Sequence, residues 1–161
     1  MYTATPNTIG YFLLHRLPGQ QLGHIGAILV VDKEGVPLEF KCTEAIKPTP
    51  MQQSLYGKKL ESHIAIKLCA LPLLQVVQNK PVILFVNVPS FLAIREEKNV
   101  PPTLFIHQDS TQSPFIIKSH SKYETDKNNE LAQLRSFDLI EPFERIKHAV
   151  HILGENNEKF R

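Results

Sequence analysis

Apolar positions in the first part of the chain come in short runs separated by turn residues, with no helical period. Residues 9–17 (IGYFLLHRL) are rich in Tyr, Phe and Leu and are followed by Pro18-Gly19, which predicts a strand ending there. Residues 24–32 (HIGAILVVD) carry the strongest strand signal, centred on Ile28, Leu29, Val30 and Val31. Lys33-Glu34-Gly35 reads as a turn with glycine where a positive φ is needed. The run 36–46 then alternates Leu38, Phe40 and Cys42 against Glu39, Lys41 and Thr43, a half-buried strand returning as a hairpin with Cys42 facing inward. Three consecutive antiparallel strands are expected.

The period then changes. Pro48 and Pro50 end the strands, because proline cannot donate to a ladder. Residues 51–57 predict one helical turn ending at Gly57. Leu60, Ile64, Leu68, Leu71, Leu74 and Val77 recur at helical spacing over 60–79, with Pro72 either kinking the helix or starting a second segment. The run 82–88 (VILFVNV) has the continuous apolar character of a strand buried on both faces. A short helix over 90–97 capped by Ser90, and two short strands at 104–106 and 115–117, come next. Residues 119–129 are almost wholly polar and are expected to form a mobile loop. An amphipathic helix over 139–153 presents Phe143, Ile146, Val150 and Leu153 on one face, closes at Gly154 and leaves a frayed tail over 155–161.

Composition narrows the class. With 161 residues, 42% apolar and 21% charged, the chain fits one globular domain that folds without a staple. A net charge of +2 excludes a strongly basic nucleic-acid coat but leaves room for a local patch. Cys42 and Cys69 have no CxxC spacing, and the start of the chain lacks a basic and apolar leader. The apolar stretches are too short, or too interrupted by Lys67, Pro72 and Gln75, to span a bilayer. A cytoplasmic protein with free thiols, no cofactor and no membrane contact is the expectation.

Three antiparallel strands, a long helix, a buried strand and a closing helix give one α/β domain with a mixed sheet. That order resembles the ribonuclease H-like fold, and the 28–35 hairpin suits a roadblock-like or longin-like scaffold as the alternative. The first resemblance implies a carboxylate on the first strand to hold a divalent metal. Residues 9–17 offer only His15 and Arg16 as ionisable side chains, and the buried fourth strand offers Asn87, so such a domain is expected to be degenerate as a nuclease.

Among candidate chemistries, Cys42 with His63 is the nucleophile reading, and burial of Cys42 as a small hydrophobe is favoured over it. Cys69 reads as core. Glu141, Glu144, His148, His151 and Glu155 recur along the last helix at spacings that suit a transition metal, but they lie opposite its apolar face and read as a solvated stripe. His107-Gln108-Asp109 is an acid/base pair or an ordinary turn. Lys41, Lys47, Lys58, Lys59 and Lys67 face only Glu44 and Glu61 in their stretch, and Tyr56-Gly57 adds a ring and a flexible joint, as a phosphate-tracking loop requires. Phe91, Leu92 and Ile94 are more apolar surface than one small core easily takes, which points to docking. No GxGxxG, Walker, HExxH or GxSxG pattern occurs.

The leading expectation is therefore a non-catalytic subunit or adaptor, contacting another protein or a second copy through Phe91 and Leu92. The alternative is a nucleic-acid-associated module using Lys47, Tyr56, Lys58 and Lys59. An enzyme using Cys42 or the His107–Asp109 turn is the third class.

Overall fold

Strand β1 (Ile9–Arg16) pairs antiparallel with β2 (His24–Val31), which pairs antiparallel with β3 (Pro37–Cys42). The computed structural model describes residues 2–17, 23–134 and 136–159, the last five through their backbone alone, so the expected stop at Pro18-Gly19 lies outside the described residues. Strand β4 (Ile83–Val86) runs parallel to β1, β5 (Thr103–His107) parallel to β4, and β6 (Ile116–Ser119) antiparallel to β5. The described strands form one mixed sheet in the order β3-β2-β1-β4-β5-β6. This is a single α/β domain with the ribonuclease H-like order that the sequence implied.

Alternation along β1 sorts its side chains to two faces. Ile9, Tyr11 and Leu13 join Ile83, Phe85 and Leu104 in a core closed by α4 (Glu141–Lys159), with Phe143, Ile146 and Val150 as its buried stripe. Phe12, Ile28, Leu84 and Val86 meet Ile64, Cys69 and Leu73 on the other face. All four residues of β4 are buried, as its continuous apolar run requires. The β2–β3 turn is held by Asp32, whose Oδ1 accepts from the Glu34 and Val36 amides, and Gly35 takes the positive φ of 83°.

The helical arm on the second face is less regular than its sequence spacing. It comprises α1 (Pro50–Tyr56), a 3₁₀ turn (Gly57–Lys59), α2 (Leu60–His63), a π-helix (Ile64–Ala70) and α3 (Leu71–Val76). Thr49 and Gln52 form a reciprocal capping box, and Gly57 (φ 54°) ends α1. The π segment meets the proline problem: Leu71 N–H donates to the Ile66 carbonyl, five residues back. The widened turn lies just ahead of Pro72, which has no N–H and whose ring would crowd the preceding α turn. The expected apolar stripe holds at Ile64, Leu74 and Val77 and breaks at Leu68. Cys69 and Ala70 face the sheet, and Leu68 turns outward.

Several other expectations change. Strand β3 stops at Cys42 instead of 46; Thr43 still bonds Gly26, and Ile46 rejoins the sheet by pairing with His24. At the edge of the sheet, β3 leaves Leu38 and Cys42 exposed, so Cys42 is not the buried hydrophobe expected. Phe91 and Ile94, on a 3₁₀ segment (Pro89–Glu96), are buried and Leu92 is half-buried. Phe91 packs on Phe12, with ring centroids 6.0 Å apart, which takes it out of reach of a partner.

The polar stretch 119–129, expected as a mobile loop, includes a 3₁₀ turn (Glu124–Asn128) and an ion pair to Arg95. Asp126 is buried and accepts from Arg95 Nε at 2.8 Å, while the Arg95 guanidinium lies 4.2 Å above the Tyr123 ring. Helix α4 runs through Gly154 to Lys159 rather than closing at the glycine, with nothing crowding that position. Residues 160 and 161 of the expected tail lie outside the described residues. No helix among the described residues is long and apolar enough to cross a membrane.

Glu39 joins the edge strand to the end of the arm. Its carboxylate accepts from the Gln78 and Asn79 backbone amides at 2.8–3.1 Å. Partial burial raises its pKa, but the amides of Asn79 and Gln78, with Lys41 nearby, outweigh it and hold the group below its ordinary 4.5. A depressed folded pKa stabilises above the unfolded value, and that contribution is lost as pH falls through the folded value. Stability should therefore drop as pH falls below 4.5, and less steeply in Glu39→Gln; urea unfolding at neutral and acidic pH checks this.

Candidate nucleic-acid interface

The carboxyl ends of β1 and β4 mark where the sheet order reverses, the usual place for a ligand in an open α/β sheet. Among the described residues, β1 ends on His15 and Arg16, and Asn87 follows β4. Asn87 Oδ1 is buried without a hydrogen-bond partner. Burial, with His151 and Lys147 of α4 nearby, lowers the His15 pKa, and Arg16 is taken by Glu61 at 3.0 Å. A divalent cation needs anionic oxygens, and these strands carry an amide, an imidazole and a guanidinium. The residues present do not fit a two-metal centre.

The helical arm builds a different site. Tyr56 closes α1, the 3₁₀ turn places Lys58 and Lys59 beside it, and α2 returns His63 against the Tyr56 ring (centroids 4.7 Å apart, 32° between planes). Beside this pair is a cleft of ≈ 250 Å³ with Lys47 and Gln52 at its polar side. Ile46, Leu60, Ile64 and Leu68 supply apolar lining. Ile46 is fixed by two backbone hydrogen bonds to His24. Burial first, then Arg16, lowers the His24 pKa, with Glu61 opposing.

Lys47, Tyr56, Lys58 and Lys59, proposed from sequence, thus lie around one cleft or on the turn next to it. Lys47, Lys58 and Lys59 are exposed and form no ion pair among the described residues, whereas Lys67 is held by Glu97. Gln52 was not singled out from sequence, and His63 only as a base for Cys42. The Thr49-x-x-Gln52 spacing signals a helix start and so the position of Gln52; nothing local signals that His63 comes back under Tyr56.

The remaining candidates are not assembled. Although Cys42 is exposed on the edge strand, partial desolvation of its thiol pushes the pKa up, away from reactivity, and His63 gives its ring to Tyr56. Cys69 is buried against Gly26. His107 Nε2 and Asp109 Oδ1 meet at 2.8 Å, but both are exposed and Ser110 is turned to Ser113. On α4, Glu141 pairs with Arg145 and Glu144 with Lys147, while His148 and His151 are exposed. No metal-binding group of three or more His, Cys, Asp or Glu occurs among the described residues.

No protein-family model matches the sequence, and no curated protein matches it. Solved structures of similar shape include the catalytic domain of human endonuclease V (14% identity, 66% of this chain and 47% of that one, TM-score 0.48). Endonuclease V from Bacillus subtilis is similar at 13% identity over 66% of this chain and 46% of that one, TM-score 0.45. Ciona intestinalis endonuclease V, solved with a 24mer DNA containing an inosine, covers 89% of this chain and 56% of its own at 13% identity and TM-score 0.44. The chain spans about half the length of these structures, and the likeness is one of fold.

Proposed function

We propose that this chain is a nucleic-acid-associated module that binds through its helical arm and does not hydrolyse what it binds. The Tyr56–His63 ring pair beside the unpaired Lys47, Lys58 and Lys59 carries this reading. Aromatic faces stack on bases and unpaired ammonium groups meet phosphates, the two interactions that a sequence-tolerant interface combines. The donor set at the strand ends supports the non-hydrolytic half of the reading.

The test is fluorescence anisotropy with labelled oligonucleotides across a salt series. Lys58→Glu/Lys59→Glu should weaken binding uniformly across sequences. It should also flatten the log–log salt slope by about 0.7 for each phosphate of a single strand that is no longer neutralised. Unchanged affinity in that double variant removes the reading. The adaptor reading keeps one observation in its favour, the exposure of Met51 (66%) and Leu55 (76%) on α1. Protein partners that survive nuclease treatment of a lysate and are lost in Met51→Ser/Leu55→Ser would favour it.

A further inference from the structure

The cleft beside Tyr56 carries side-chain donors without partners. Two of its carbonyls are engaged: the Ile46 carbonyl accepts from His24 N–H at 2.8 Å, and the Pro48 carbonyl from Gln53 Nε2 at 3.2 Å. Gln52 Oε1 accepts from Thr49 N–H at 2.9 Å, which fixes the amide orientation, because an N–H needs an acceptor opposite it. Gln52 Nε2 therefore has its two hydrogens left. It makes no hydrogen bond among the described residues, nor does Lys47 Nζ. Gln52 Nε2 and Lys47 Nζ are thus donors that an incoming acceptor can engage. Leu60, Ile64 and the Tyr56–His63 pair also line the cleft.

Size adds a second constraint. At ≈ 250 Å³ the cleft is smaller than the roughly 300–1,000 Å³ of ordinary small-molecule sites. It suits a single flat ring unstacked from its neighbours, not a duplex. Resting on the nucleic-acid reading above, we infer that the cleft takes one unstacked base of a single strand and prefers bases whose edge presents carbonyl acceptors. The ring lies against Tyr56, Gln52 Nε2 and Lys47 Nζ donate to its oxygens, and Lys58 and Lys59 meet the flanking phosphates. Thymine and uracil offer an acceptor at position 4, whereas cytosine offers an amino donor there. The cytosine amino group would face Gln52 Nε2 donor to donor.

Runs of thymidine and of deoxycytidine isolate this difference, because both are single-ring pyrimidines on the same backbone. A 12-mer of dT should bind about five-fold tighter than a 12-mer of dC, the worth of one net hydrogen bond. Gln52→Glu keeps the oxygen that caps Thr49 and replaces the free Nε2 donor with an acceptor, so the fold is retained. It should abolish or invert the dT/dC ratio, even if its charge weakens both oligomers. Lys58→Glu/Lys59→Glu should weaken both and leave the ratio unchanged. Binding with no dT preference, or with a ratio that Gln52→Glu leaves intact, overturns this inference and leaves the broader reading standing. Failure of either oligomer to bind overturns both.

Discussion

Asp126→Ala is expected to lower the unfolding free energy by about 3 kcal/mol, as removal of one partner from a buried ion pair does. Asp126 has 7% of its side chain exposed and Arg95 21%, so neither charge is well hydrated in the folded state. Arg95 Nε donates at 2.8 Å to Oδ2, with a weaker bond from Nη2 to Oδ1 at 3.5 Å. Without the carboxylate, the guanidinium keeps its place over Tyr123 but loses its counter-charge. The Asp126 turn also loses its tie to the Pro89–Glu96 segment. Arg95→Ala/Asp126→Ala should cost clearly less than the sum of the two single changes, because the double variant leaves no charge stranded. Urea unfolding of the four proteins measures this; strict additivity would mean that the two side chains act independently.

Gly26→Ala is expected to be as damaging by a different route, costing about 3 kcal/mol through overpacking at a site with no slack. A Cβ at Gly26 would collide with Cys69 Cβ and stand 2.7 Å from its Sγ, inside any tolerable approach. Cys69 lies in the π-helix, on the side that meets the sheet, and both partners are backbone-anchored, so the arm itself must move. That movement would shift Ile64 and with it the cleft wall. Gly26→Ala should therefore lose oligonucleotide affinity along with stability, whereas Asp126→Ala, acting on a different segment, should lose stability with the affinity of the folded fraction unchanged. Thermal melts beside anisotropy separate the two.

Much of this architecture is readable from residues. The hairpin turn at Gly35, the buried run of β4 and the inward Phe143, Ile146 and Val150 of α4 are each fixed by local pattern, and the structure follows them, although Leu153, expected on the same stripe, is exposed. Other features depend on neighbours that no local pattern contains. A helical period cannot show that the arm widens over 64–70 and trades Leu68 for Cys69 as the inward residue. Nor can it show that Gly26, far away in sequence, leaves the room that Cys69 fills. The polarity of 119–129 reads as looseness only until Arg95 is placed beside Asp126. At the site, the cations and Tyr56 are legible as composition, whereas the stack on His63 and the orientation of the Gln52 amide arise from the return of the chain.

The sheet has two outer margins, and their treatment bears on how the protein behaves when concentrated. Strand β3 begins with Pro37, carries Lys41, and is displaced by the irregular register at Val30/Val31. Its Glu39 is committed to the arm. Strand β6 is only four residues long and includes Lys118. Proline, lysine, bulges and brevity are the devices by which exposed strands resist zipping to another sheet. A second copy adding itself to either margin would have to desolvate a lysine, and at β3 it would also meet a proline. Self-association through continuous sheets is therefore disfavoured, and the chain should stay dispersed in solution despite the apolar residues that Val36 and Leu38 show at the β3 margin.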